Sequence, residues 1–176
     1  SNIPIFKEVY AEIGDEQSIE NNLSTFSSHM LNTANIIANA DKDSLVLLDE
    51  VGSGTDPAEG AALGVAMLEA LKEKGAHIVA TTHYTELKKY ALSTDGVENA
   101  SMEFDMDALA PTYRIKVGLP GKSNAFEISR KLGLEPSIID RAISLMNESD
   151  IEFEGAVSRV EEDQREVDIA LEEARI

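Results

Sequence analysis

Cysteine is absent from the 176 residues, so the chain can form no disulfide and no cysteine-bound zinc site. That fits a reducing compartment, and a cytoplasmic location is expected. Basic residues are scarce, with 15 Lys+Arg against 33 Asp+Glu and a net charge of −18. A surface of that sign repels phosphate backbones, so a nucleic-acid-binding face is expected in other parts of a longer protein. No apolar run approaches the ~18–20 residues of a membrane span, and no charged-then-apolar leader opens the chain. No membrane partner is expected. Hydrophobic residues nevertheless make up 43% of the chain, enough for a core in a single domain with a short appendage. The first residue is not Met, and a charged helical pattern is still running at Ile176; both ends are expected to continue.

Residues 9–13 read as a short strand ending at Gly14. A helix follows from Phe26 towards Ala40, with Phe26, Met30 and Ile37 at helical spacing and Ser24-Thr25 at its start. Leu45-Val46-Leu47-Leu48 is a continuous apolar run, the pattern of a parallel strand buried on both faces. Gly52, Gly54 and Pro57 mark a loop, and a helix is expected over 59–74, closed by Gly75 in a left-handed cap. A second buried strand over 77–82 and a helix through Leu87 and Ala91 complete an alternation that predicts an α/β fold with a parallel sheet. Residues 102–105 and 112–117 read as a strand pair, and 124–132 and 137–149 as two helices broken at Gly133 and Pro136. From Phe153 the positions Phe153, Val157, Val160, Gln164, Val167, Leu171 and Ala174 alternate at spacings of four and three, the start of a coiled coil.

Asp49-Glu50 follows the apolar run directly. A carboxylate there sits at the carboxyl edge of a sheet, where open α/β folds bind ligands. Asp49 suits the water shell of Mg²⁺ and Glu50 suits polarising an attacking water, although the pair alone can equally just end a strand. The Gly-rich stretch Ser53-Gly54-Thr55-Asp56 permits close backbone approach. His83, after the next strand, can hydrogen-bond a phosphate, yet by itself it reads as an ordinary loop histidine. His29 and His77 read as structural or surface residues, and the three histidines have no metal-ligand spacing. The hydroxyls of Ser24 and Thr25 stand at a helix start that offers N–H groups to an anion, or they form a plain N-cap.

Taken in order, a hydroxyl-rich helix start, a strand ending in Asp-Glu, a Gly-rich loop and a strand-terminal His follow the ABC-class ATPases. The wording resembles the MutS family, and within it the second bacterial type, over about residues 6–146. It is carried by Ile13-Gly14-Asp15-Glu16-Gln17-Ser18-Ile19, Ser24-Thr25-Phe26-Ser27-Ser28-His29-Met30, Leu48-Asp49-Glu50, Gly52-Ser53-Gly54-Thr55-Asp56-Pro57 and Ala80-Thr81-Thr82-His83-Tyr84. The resemblance implies a P-loop NTPase fold of ABC type over 1–149 and a coiled-coil or helical linker over 150–176. It also implies ATP and Mg²⁺ as cofactors and a homodimer that sandwiches ATP. Asp49 then holds the Mg²⁺ shell, Glu50 the water, and His83 senses the γ-phosphate. Ser24 and Thr25 face ATP held mainly by the other subunit, and Ser53, Gly54, Thr55 and Asp56 communicate across the dimer. Partners implied through other parts of the protein are branched or recombination-intermediate DNA and stalled ribosomes, with a nuclease domain beyond the coiled coil.

The phosphate-binding loop itself is not legible. Gly118-Leu119-Pro120-Gly121-Lys122-Ser123 imitates one, but the required first glycine falls on Lys116, and Pro120 removes a backbone donor. The real loop is expected upstream of Ile3. The helices near 124–145 could read DNA as a helix-turn-helix, but only four basic residues lie nearby, and the resemblance implies that these helices support dimerisation. A non-catalytic dimerisation module carrying a coiled coil is the alternative function. A chromosome-structure or transporter type of ABC ATPase lacks its L-S-G-G-Q signature here.

Overall fold

The computed structural model describes residues 4–14 and 25–174. The chain divides into two compact units, Ser1–Tyr90 and Ala91–Ile176. In the first, β1 (Glu8–Glu12), α1 (Thr25–Asn39), β2 (Ser44–Leu48), α2 (Pro57–Glu73), β3 (His77–Ala80) and the start of α3 (Thr85–Ser93) follow one another. The strands form a parallel sheet in the order β1-β2-β3, as the strand–helix alternation predicts. The register pairs Glu12 with Leu48 and Leu48 with Ala80, so all three strands end at one level.

The core gathers on one side of this sheet. Val46 and Leu48 of β2 are buried with Ile36 and Ala40 of α1, Ala61 and Leu71 of α2, and Leu87 of α3. Leu45 and Leu47 are only half-buried, and Val9 and Val79 are 59% and 58% exposed. The expectation of a strand covered equally on both faces is therefore met on one face only among the described residues. Helix α2 starts two residues earlier than predicted, because the Asp56 carboxylate accepts from the N–H groups of Ala58 (3.0 Å) and Glu59 (3.2 Å) and Pro57 is preset for the first helical position. Gly75 takes φ 77° after the cap Lys74, as its left-handed role requires. Strand β3 stops at Ala80, two residues short of the predicted end, as the chain turns towards Thr81 and His83.

In the second unit β4 (Ala100–Asp105) and β5 (Ala110–Val117) pair antiparallel. The Asp105 carboxylate accepts from Asp107 (2.8 Å) and Ala108 (2.9 Å) in the turn between them. Helices α4 (Ala125–Lys131) and α5 (Pro136–Ser144) follow, and then α6 (Glu148–Glu173). The second helix of this pair is expected to reach Ser149, but it ends at Ser144, and Asn147, whose side-chain oxygen accepts from Asp150 N–H at 2.8 Å, caps a new helix. Gly118–Ser123 is irregular chain: Lys122 lies 3.4 Å from Glu127, and Ser123 N–H donates to Glu154 at 3.0 Å.

Candidate functional site at the carboxyl edge of the parallel sheet

The equal strand ends bring residues distant in sequence to one rim. Beyond Leu48 and its partner Ala80, the next residues are Asp49 and Thr81, and the ladder continues: Thr81 N–H donates to Leu48 O at 2.9 Å and Val51 N–H to Thr81 O at 3.0 Å. The Thr81 hydroxyl donates to Asp49 Oδ1 and accepts from Glu50 N–H, the latter at 2.9 Å. One hydroxyl thus fixes both members of the Asp-Glu pair.

Glu50 adopts φ 47°, a left-handed conformation unusual for a residue with a side chain. Such strain costs on the order of 1 kcal/mol and persists where the surroundings over-determine it. Here the Thr81 bond to Glu50 N–H and the turn bond from Ser53 N–H to Glu50 O (3.0 Å) hold it. Both Asp49 and Glu50 are exposed, so their carboxylates can meet a ligand in water.

The loop after Glu50 is packed by close approach. Gly52 has φ 82°, and a Cβ built there would stand 2.1 Å from Gly60 O; one built on Gly60 would stand 2.2 Å from Gly52 O and 2.8 Å from Tyr84 Oη. Tyr84, 9% exposed, donates its hydroxyl to Gly52 O at 3.2 Å. Its ring lies 4.6 Å from that of His83, and His83 itself is exposed. A single residue, Tyr84, therefore touches both the Gly-rich loop and the strand-terminal histidine. Within that loop Ser53 and Thr55 are half-buried, Gly54 and Asp56 are exposed, and Asp56 is occupied as the cap of α2.

At the end of β1 lies a feature that sequence reasoning missed. The Glu12 carboxylate is buried and accepts from Asn32 Nδ2, and His29 Nδ1 lies 2.9 Å from its other oxygen. A Cβ on Gly14 would fall 2.1 Å from the His29 ring, so glycine there makes room for it. The backbone of Glu12 also receives Asp49 N–H at 2.8 Å. His29, read from sequence as structural or surface, thus ties α1 to the strand that flanks Asp49. A Glu in a strand two residues before a Gly-Asp pair gives no cue to this, because the pairing with His29 runs across 17 residues of chain. His77, by contrast, is exposed at the start of β3 with its ring 5.2 Å from that of Phe6, away from the rim.

Glu12, His29, Asp49, Glu50 and Ser53 rim a small cavity of about 20 Å³, space for roughly one water. Of the residues expected to act, Asp49, Glu50 and Ser53 share this rim, and His83 is joined by Tyr84 to Gly52 beside it; Gly54, Thr55 and Asp56 do not line it. Thr25 opens α1, while Ser24 lies outside the described residues. Among the described residues no helix is long and apolar enough to cross a membrane.

Comparison with known proteins identifies the family. Residues 1–150 match MutS domain V. The chain is 58% identical over 175 residues to Endonuclease MutS2 of Clostridium beijerinckii, covering 99% of this chain and 22% of that protein. It is 57% identical over 181 residues to Endonuclease MutS2 of Clostridium acetobutylicum, 99% of this chain and 23% of that protein. With the Lachnospira eligens protein of the same name it shares 60% over 161 residues, 92% and 20% of the two chains. The chain spans about a fifth of the length of these relatives. A parallel α/β sheet with its acidic rim, matched over residues 1–150, belongs to the MutS family as its domain V.

Proposed function

We propose that this chain is part of an ABC-class, P-loop ATPase switch in a MutS2-like protein. The observation that carries the reading is the Thr81 hydroxyl joining Asp49 and the Glu50 backbone at the carboxyl edge of the sheet, the place where open α/β folds take their ligands. The donor set fits a hard cation: a carboxylate and a hydroxyl, both oxygen. Among the described residues no group of three or more His, Cys, Asp or Glu side chains gathers to hold a metal alone. Mg²⁺ would therefore be held by Asp49 through water together with the nucleotide's own oxygens. When bound, Mg²⁺ offsets the charge of the phosphates.

In this reading Thr81 orients Asp49, and the left-handed turn at Glu50 holds its carboxylate where it can polarise an attacking water. His83 donates to a γ-phosphate, and Tyr84 ties that histidine to the loop from Ser53 to Asp56. Ser24 and Thr25 face the ATP of a second subunit in a homodimer. The phosphate-binding loop comes from sequence preceding this chain, not from Gly118–Ser123, whose lysine and Ser123 N–H already meet carboxylates. The names of the relatives extend the proposal to an endonuclease elsewhere in the longer protein. The family resemblance adds branched DNA or stalled ribosomes as its partners, with residues 1–149 as the ATPase part and 150–176 as a helical linker.

The test is Glu50→Gln in a longer protein that includes the phosphate-binding loop. ATP binding is expected to persist while turnover falls roughly a hundredfold or more, the usual contribution of a positioned base. Unchanged turnover removes Glu50 from its role; loss of ATP binding with intact folding removes the rim as the nucleotide site.

A further inference from the structure

Helix α6 carries a seam whose flanks select its partner. The seam positions Phe153, Val157, Val160, Gln164, Val167 and Leu171 alternate at four and three residues, the 3.5-residue period of a two-helix coiled coil. At its beginning the seam is used within its own unit, since Val157 is only 6% exposed. Further along it is not covered: Val160, Val167 and Leu171 are 48%, 52% and 56% exposed. These three lie in line over about three turns of helix, roughly 16 Å.

The residues that border a coiled-coil seam decide which helix can lie against it. Here the positions after Val160 and Val167 are Glu161 and Asp168, and those before Gln164 and Leu171 are Asp163 and Ala170. The only two cations of the helix, Arg159 and Arg165, fall outside these border positions, against eleven Asp+Glu in Glu148–Glu173. Three of the four border positions are acidic, so a second copy of α6, parallel or antiparallel, would bring like charges together beside the seam. Like charges so placed are unfavourable. We propose that α6 from Val160 to Leu171 docks a basic amphipathic helix, one with an apolar seam bordered by Lys or Arg, and that it does not pair with itself. This interface is independent of the nucleotide site.

Calorimetric titration of the chain with two synthetic helical peptides tests it. Both share a leucine seam; one is bordered by lysine and the other by glutamate. The lysine peptide is expected to bind and the glutamate peptide not to. Binding should weaken strongly at about 1 M salt, where the screening length is about 3 Å. Val160→Ser and Val167→Ser, both exposed positions, should each weaken it about tenfold, the loss of one buried branched side chain. Sedimentation equilibrium should give the same mass for the chain and for the double variant. Lysine-peptide binding that survives both substitutions would reduce the surface to bare charge and overturn the proposal. So would failure of both peptides to bind, or a mass that falls in the double variant, which would show self-pairing through α6.

Discussion

Thr81 does the most with the fewest atoms. Its hydroxyl donates to a carboxylate and accepts from a backbone N–H one residue later, and the second bond stabilises a left-handed Glu50 that costs energy on its own. Thr81→Val keeps the shape and removes both bonds. A loss of about 1 kcal/mol is expected, since the site is exposed and water replaces part of what is lost; denaturant titration of the chain measures it. In the longer protein the same change should lower ATP turnover while leaving overall folding intact, because Asp49 and Glu50 lose their common anchor. Asp49, Glu50 and His83 could be picked out in the sequence by their places after apolar runs. Thr81 stood in the same motif without a role, because its importance comes from the strand register that sets it beside Asp49. Glu12 was invisible for a similar reason, being one of 33 acidic residues and distinguished only by burial with His29 and Asn32.

Among the elements, the strands and helices of the first unit were legible to within two residues, since parallel strands and amphipathic helices have different periods. The errors came at ends decided by side-chain capping, as at Asp56 for α2 and Asn147 for α6. The β4–β5 hairpin adds a pH dependence. Glu103 is held below the usual carboxylate range by the Thr112 hydroxyl first and then by Lys116. Asp105 is held low by the N–H groups of Ala108 and Asp107. Both are depressed, so their contribution is present above the unfolded carboxylate value of about 4 and is lost as pH falls through the lower folded values. Amide exchange of the hairpin is therefore expected to quicken below about pH 4. Asp105→Ala should show weaker protection already at neutral pH and a flatter acid response; an identical acid response in the variant would exclude Asp105 as a source.

For the whole molecule, the net charge of −18 dominates its behaviour in solution. Self-repulsion of that size opposes the compact state, and salt screens it over about 10 Å at 0.1 M. Thermal unfolding is expected to move up by about 2–4 °C from low to near-physiological salt, the change that ~1 kcal/mol produces in a chain of this length. A melting curve in a salt series checks this, and a flat series would mean that the acidic side chains are spaced widely enough not to interact. The pinned loop between Gly52 and Gly60 has a practical use at this scale. Because the chain has no thiol of its own, one introduced cysteine would take a fluorophore at a single point. Gly52 and Gly60 have no space for it, Gly54 has φ 88°, Ser53 lines the cavity at the rim, Asp56 caps α2 and Pro57 begins it, which leaves Thr55 as the place ahead of the helix to attach a reporter that watches this loop.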